Sequence, residues 1–269
     1  MTKLKKFLSY AQEYEDLIIY HALKDVENGF YVDVGANDPW DLSVTKYLYE
    51  LGWSGINVEP LSDKYHELVL DRPRDVNCCM GAGSEDGEIV FYSQGTGSTC
   101  DEQIAKKAGS INNKTIIPVK KLANIISENI PDPKQEIHFC KIDVEGFERS
   151  VLEGLDFDIY RPWVFIMEST LPGTSIPCFS DWEHILINAG YIFVMQYGIS
   201  RYYLDNRYEA LKNNFLSPDS LKKIYNVYEL SERDFKKYYR IGIRVTSPMR
   251  LILRLMRAIK RKIKRITHA

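Results

Sequence analysis

With 269 residues, 45% of them hydrophobic and 27% charged, the chain can bury one good core with appendages, and its composition is that of an ordinary globular protein. No apolar run approaches the ~20 residues of a membrane-spanning helix, and Glu13, Glu15 and Asp16 break the N-terminal apolar run, which argues against a signal peptide. The net charge of -2 conceals an asymmetry: nine Lys/Arg and no acid follow from Arg244 onward, leaving 26 basic against 37 acidic residues in an acidic body.

Residues 4–23 place Leu4, Phe7, Leu8, Ala11, Tyr14, Leu17, Ile18 and Ala22 at helical spacing, which predicts an amphipathic lead-in helix ended by Gly29. The chain then alternates. Phe30–Ala36 is a short apolar strand, and Val44–Leu51 a helix stopped by Gly52. Ile56–Pro60 is a strand, Lys64–Leu70 a helix, and Val76–Met80 a strand closed by Gly81-Ala82-Gly83. Glu88–Ser93 alternates like a hairpin strand ahead of a Gly-Thr-Gly-Ser loop at 95–98. Ile116–Val119, Ile137–Ile142, Trp163–Met167 and Tyr191–Gln196 follow as strands, with helices at Leu122–Asn129, Ser150–Leu155 and Trp182–Ala189. Arg201–Leu204 reads as a last edge strand. Strands of four to six residues alternating with helices predict a mostly parallel sheet covered on both faces. Residues 206–243 are tyrosine-rich, charged and predicted helical, without a readable motif.

In such a sheet the ligand sits beyond the carboxyl ends of the strands. Asp33, Gly35 and Asn37 follow the first strand, Glu59 ends the second, Asp143 and Glu145 end the fourth, and Glu168 ends the fifth. Singly, a D-x-G can be a turn and a strand-terminal Glu a helix cap; their recurrence at successive strand ends predicts a site. A glycine in the first turn permits close backbone approach, and an acidic residue at the second strand end can take both hydroxyls of a ribose. The G-x-G-x-x-G of dinucleotide folds is absent, and a carboxylate at Asp33 disfavours a diphosphate. It suits a cationic ligand with a free amino group, a description that S-adenosylmethionine meets. The five cysteines show no metal spacing and no paired framework, as expected of reduced thiols in a cytoplasmic protein.

VDVGANDPW, INVEP, GAGSEDGEIVFY, KIDVEGFERSVLEG and DWEHILINAGYIFVMQYGISRYYL together resemble the FkbM-type methyltransferases. SYAQEYEDLIIYHAL is similar to the lead-in segment of members found with bacterial surface-polysaccharide genes. The resemblance implies a Rossmann-like α/β methyltransferase fold with a seven-stranded sheet. The resemblance covers roughly residues 9–204, and with the patterning outside it the chain divides into a lead-in helix (1–28), a methyltransferase domain (29–205), a helical extension (206–243) and a basic tail (244–269). It implies that Asp33, Gly35 and Asn37 shape the methionine end of an S-adenosylmethionine pocket. Glu59 would take the ribose, and Ser84, Glu85 and Asp86 would lie near the adenine. Pro39 departs from the family, where glycine is common. The implied reaction is O-methylation, commonly of a sugar hydroxyl in a surface glycan or glycolipid precursor.

For that reaction the protein must align an acceptor oxygen and help remove its proton. Asp143 is the first choice as base or orienter, with Glu168 and His184 next. Asp143 and Glu168 also suit Mg²⁺, a hard cation that prefers oxygen ligands. Lys141 shares a strand face with Asp143 by period two and balances its charge. Trp182, Tyr191, Tyr197, Arg201, Tyr202 and Tyr203 are suited either to a sugar-binding wall or to core packing.

The last residues form a basic amphipathic pattern, with Ile252, Leu255, Met256, Ile259, Ile263 and Ile266 on one face and Arg/Lys on the other. The apolar stripe over 249–266 favours an anionic membrane surface at the inner face of the cytoplasmic membrane, or an oligomer partner, over specific nucleic acid. Two other functional classes fit parts of the chain. A nucleotide-sugar oxidoreductase or epimerase lacks its glycine fingerprint here, and the Tyr20/Lys24 spacing lies outside the expected context. A non-catalytic membrane-associated adaptor would bind no methyl donor.

Overall fold

The chain runs β1 (Lys5–Ser9), α1 (Glu15–Ala22), β2 (Phe30–Val34), α2 (Lys46–Glu50), β3 (Ser54–Val58), α3 (Ser62–Asp71), β4 (Val76–Cys78), β5 (Gly81–Gly83), β6 (Gly87–Tyr92) and α4 (Glu102–Ala108). It continues β7 (Lys114–Lys121), α5 (Leu122–Asn129), β8 (Phe139–Ile142), α6 (Glu148–Glu153), β9 (Val164–Glu168), α7 (Glu183–Asn188), β10 (Tyr191–Tyr197), β11 (Ser200–Asp205), α8 (Pro218–Leu221) and β12 (Tyr225–Glu229). The structure, a computed structural model, describes residues 4–93, 98–130 and 132–229. The predicted basic amphipathic tail, the 206–243 extension beyond Glu229 and most of the 95–98 loop lie outside the described residues. The chain divides into two compact units, Met1–Val227 and Tyr228–Ala269, and the elements of the first carry the site.

Seven strands form the main sheet in the order β10-β11-β9-β8-β2-β3-β4. Strands β9, β8, β2, β3 and β4 are mutually parallel, and β11 runs antiparallel between β9 and β10. The order reverses between β2 and β8, so their carboxyl ends border the switch-point crevice. Alternation along each strand sorts the core into two layers. Val32, Val34, Cys140, Ile142, Phe165 and Met167 pack with Leu122, Ile125 and Ile126 of α5, Val151 and Leu152 of α6, and Leu186 of α7. Tyr31, Phe139, Val164 and Ile166 pack on the other side with Leu17, Ile18 and Ile19 of α1 and Leu48 of α2. Helices therefore cover both faces, as the sequence predicts.

Three expectations change. Residues 5–9 form a strand paired with β12 rather than the start of a lead-in helix, and the helix begins only at Glu15. Tyr14, at φ 65°, breaks any continuous helix there, and the Asp16 carboxylate accepts from Ser9 Oγ and the Tyr10 and Ala11 amides, fixing the turn instead. Residues 200–205 are an internal strand, not an edge, and all six are buried. Within the extension, 206–229 is a 3-10 segment (Asn206–Asn214), the short α8 and β12 rather than one helix. A second, three-stranded sheet, β5-β7-β6, is inserted between β4 and β8.

Candidate functional site

On the α1 side of the sheet, the carboxyl ends of β2, β8 and β9 present Asp33, Lys141, Asp143 and Glu168 on one face. The parallel register sets Asp33 beside Lys141, and period two brings Asp143 over Lys141. The ammonium of Lys141 is 3.3 Å from Asp143 Oδ2 and 3.5 Å from Asp33 Oδ1, and it donates to the Gly35 carbonyl at 2.9 Å. Burial works to lower the Lys141 pKa, but Asp143 and Asp33 outweigh it and hold the amine charged. Lys141 thus ties two strand ends and the turn after β2 into one rigid unit.

That turn is shaped by Gly35 at φ 78°. A Cβ there would lie 1.9 Å from the Asp143 carbonyl oxygen, so only glycine lets the β2 turn pack on the end of β8. Glu59, at the end of β3, accepts from the Asn37 amide (2.8 Å) on one oxygen and from the Leu61 amide (2.7 Å) on the other. Burial raises its pKa, while these two amides oppose that shift. Each carboxylate oxygen keeps a further lone pair for a ligand.

Pro39 lies in a loop held by its neighbours. Asp38 caps the Trp40 and Asp41 amides, and the Pro39 carbonyl accepts from Arg72 at 2.6 Å. Arg72 is wholly buried and also donates to Ser43 and Thr45, beside Asp75 at 3.8 Å. A buried cation thus anchors the loop through the backbone carbonyl of Pro39.

These elements border a cleft of about 1230 Å³, counting its open mouth. Gly35, Ala36, Asn37 and Glu59 line one part, with Leu61, Met80, Ala82, Phe91 and Ile117 as an apolar wall. Asp143, Glu145 and Glu168 line the next part, followed by Glu15, Ile199 and Ser200. The ligand atoms of the three carboxylates lie within 4.8 Å of one another. Glu145 sits at φ 54°, and its carbonyl accepts from Thr99 Oγ1 at 2.7 Å, which fixes this unusual backbone against the inserted sheet's connection. Burial first, and then repulsion from Asp143 and other carboxylates, drives the pKa values of Glu145 and Glu168 well above the ordinary carboxylate range.

Several predicted site residues stand elsewhere. Asp33 is buried beneath the cleft floor, bonded by Thr45 and facing Lys141, and is not among the lining residues. Ser84, Glu85 and Asp86 lie in the β5–β6 turn, outside the cleft lining; Ser84 meets Ser150, while Asp86 accepts from the Lys121 amide and Asn124. His184 is exposed on α7, away from the lining. Trp182, Tyr191, Tyr202 and Tyr203 are core residues. Arg201 is held by Glu183 and Tyr203 between the rings of Phe179 and Phe193, so none of these forms a sugar-binding wall on the cleft. The residues missed by sequence reasoning (Glu15, Phe91, Ile117, Ser200) come from β6, β7, α1 and β11, and no local pattern marks them.

The Methyltransferase FkbM domain model matches residues 33–193, more than half of the chain. The chain belongs to the FkbM methyltransferase family. Its β2 turn, the Asp143–Glu148 loop and the inserted sheet all fall within that FkbM domain. A TehB-like SAM-dependent methyltransferase from Corynebacterium glutamicum is similar in structure at 9% identity and TM-score 0.41, over 72% of this chain and 89% of that one. No curated protein matches the sequence.

The family's donor is S-adenosylmethionine, and the cleft of this FkbM domain fits it. A ribose suits Glu59, whose oxygens keep acceptor capacity, and an adenine suits the wall of Leu61, Met80, Ala82, Phe91 and Ile117. The glycine-only turn at Gly35 and the carboxylates beyond it suit the cationic methionine end.

Proposed function

We propose that this methyltransferase transfers a methyl group to an oxygen acceptor, a sugar hydroxyl of a surface glycan or glycolipid precursor. The observation that carries the reading is the Asp143–Glu145–Glu168 cluster next to the donor part of the cleft. Bound S-adenosylmethionine supplies a methyl group already made electrophilic by its sulfonium. What remains for the protein is orientation and proton removal. Asp143, half-exposed at the rim, orients the acceptor hydroxyl and takes its proton. Lys141 fixes the Asp143 carboxylate, so Lys141 is a positioning residue. Glu15 and Ser200, joined by a 3.1 Å hydrogen bond, face the far end of the cleft and offer a polar border to a hydroxyl-rich acceptor. The similarity of the lead-in to members found with surface-polysaccharide genes supports a glycan as the acceptor class.

Full-length protein, methyl-labelled donor and a panel of lipid-linked and soluble glycans test this reading. Label in a glycan hydroxyl is expected, with Asp143→Asn at least ~100-fold slower, the scale of a lost general base. Unchanged transfer by Asp143→Asn removes that residue from the mechanism; label found only on nitrogen overturns the oxygen assignment.

We further propose that residues 249–266 attach the enzyme to anionic membrane, bringing it to lipid-linked acceptors. No helix among the described residues is long and apolar enough to cross a membrane. Attachment by the basic stripe therefore predicts flotation of the intact chain with anionic vesicles but not neutral ones, and loss of flotation after truncation at Val245. Equal flotation of both forms sinks the idea.

A further inference from the structure

We infer that Asp143, Glu145 and Glu168 bind one hard divalent cation of the Mg²⁺ or Mn²⁺ class. Their ligand atoms lie within 4.8 Å of one another, close enough to converge on a single ion. Three carboxylates gathered in a cleft repel one another, and the cation beside them, Lys141, is already engaged. Its ion pairs go to Asp143 and Asp33 and its hydrogen bond to the Gly35 carbonyl, so Glu145 and Glu168 feel its charge only at longer range.

A second observation points to a ligand. Glu168 is 7% exposed, and its Oε2 is buried without a hydrogen-bond partner while the side chain lines the cleft. Glu145 Oε2 is in the same condition. Buried carboxylate oxygens without donors are costly, and a bound cation is one way to satisfy them. Hydrogen bonds to the main chain hold the geometry from behind: the Thr99 hydroxyl donates to the Glu145 carbonyl, and the β8–β9 register sets the two strand ends side by side. An all-oxygen, anionic set of two Glu and one Asp suits Mg²⁺ or Mn²⁺ and lacks the nitrogen or sulfur that zinc favours. Positioned beside the donor part of the cleft, such an ion would also ease loss of a proton from an acceptor hydroxyl. That use rests on the methyl-transfer reading; the binding site itself does not.

Mn²⁺ binding to the full chain, followed by electron paramagnetic resonance of the free ion, tests the site. One Mn²⁺ per chain is expected, competed by Mg²⁺, and weakened at least ~10-fold in Glu168→Gln and in Glu145→Gln. Exposed Glu102→Gln is the control for general acidity and is expected to bind as wild type. Circular dichroism checks folding; if Glu168→Gln fails to fold, the less buried Glu145→Gln decides. Wild-type protein that binds no Mn²⁺ at millimolar concentration overturns the proposal, since the trio is then held by a shared proton. Binding unchanged in the folded variants overturns it as well. Donor titration without metal separates the two readings. Donor heat without Mn²⁺ binding removes only the cation site. Mn²⁺ binding without donor heat removes the methyl-transfer reading and leaves the cation site standing.

Discussion

Gly35 shows how one residue carries the geometry of the site. Its φ is 78°, and a Cβ at this position would meet the Asp143 carbonyl oxygen at 1.9 Å, which leaves no room for a side chain. Gly35→Ala must either flip the turn or push β8 away, and both move Asn37 relative to Glu59. A loss of about 3 kcal/mol or more in thermal or denaturant unfolding is expected, from backbone strain plus the clash. Donor titration is expected to give no heat. A variant with wild-type donor affinity would show that the turn does not shape the pocket. Asp33 teaches the opposite lesson: a carboxylate at the right sequence position lies under the site, where it helps to hold Lys141.

Between elements, the loop from Asn37 to Thr45 is anchored by α3. Arg72 reaches from the end of that helix to the Pro39 carbonyl, Ser43 and Thr45, with Asp75 as its buried counter-charge. Replacing it by a similar-sized apolar residue removes the counter-charge of Asp75, to which Tyr31, Gly55 and Asn57 still donate, and frees the loop. Arg72→Met is expected to lose about 3–5 kcal/mol, the usual cost of breaking a buried pair from one side. Combining it with Asp75→Asn should recover part of that loss, and denaturant unfolding of the single and double variants measures both terms. Additive losses would mean that the two residues do not act as a pair. The inserted β5-β7-β6 sheet works at the same scale, supplying Phe91 and Ile117 to the apolar wall and, through Thr99, a brace for Glu145.

At the scale of the whole molecule, buried carboxylates give stability a pH dependence. Glu148 is fully buried and accepts from the Val144 and Gly146 amides; burial pushes its pKa up to about 7. A carboxyl with a raised folded-state pKa contributes stability that is fully present below the ordinary value near 4.5 and is lost as pH rises through about 7. Between pH 5 and 8 this group therefore subtracts roughly 3 kcal/mol. Glu148→Gln keeps an acceptor for the two amides and removes the titration. Its stability relative to wild type is expected to improve steadily from pH 5 to 8 in parallel thermal or urea melts. A gap between the two proteins that stays constant with pH would contradict this account.

The sequence by itself determined the parallel α/β sheet, because short β-branched strands alternating with helical segments admit few other arrangements. It also determined the rim positions Gly35, Asn37, Glu59, Asp143 and Glu168, because residues just past parallel strands must face the crevice. Only the tertiary structure decided which acids enter the cleft and which stay beneath it: Asp33 turns to Thr45 and Lys141, whereas Glu145 is brought in by a left-handed backbone that Thr99, 46 residues away, fixes. Helical spacing at residues 4–14 was overridden by Asp16 capping and by pairing with β12, and the aromatic residues at 182–203 went to the core. Each of these outcomes depends on a partner distant along the chain, and periodicity reports only on neighbours within a few residues.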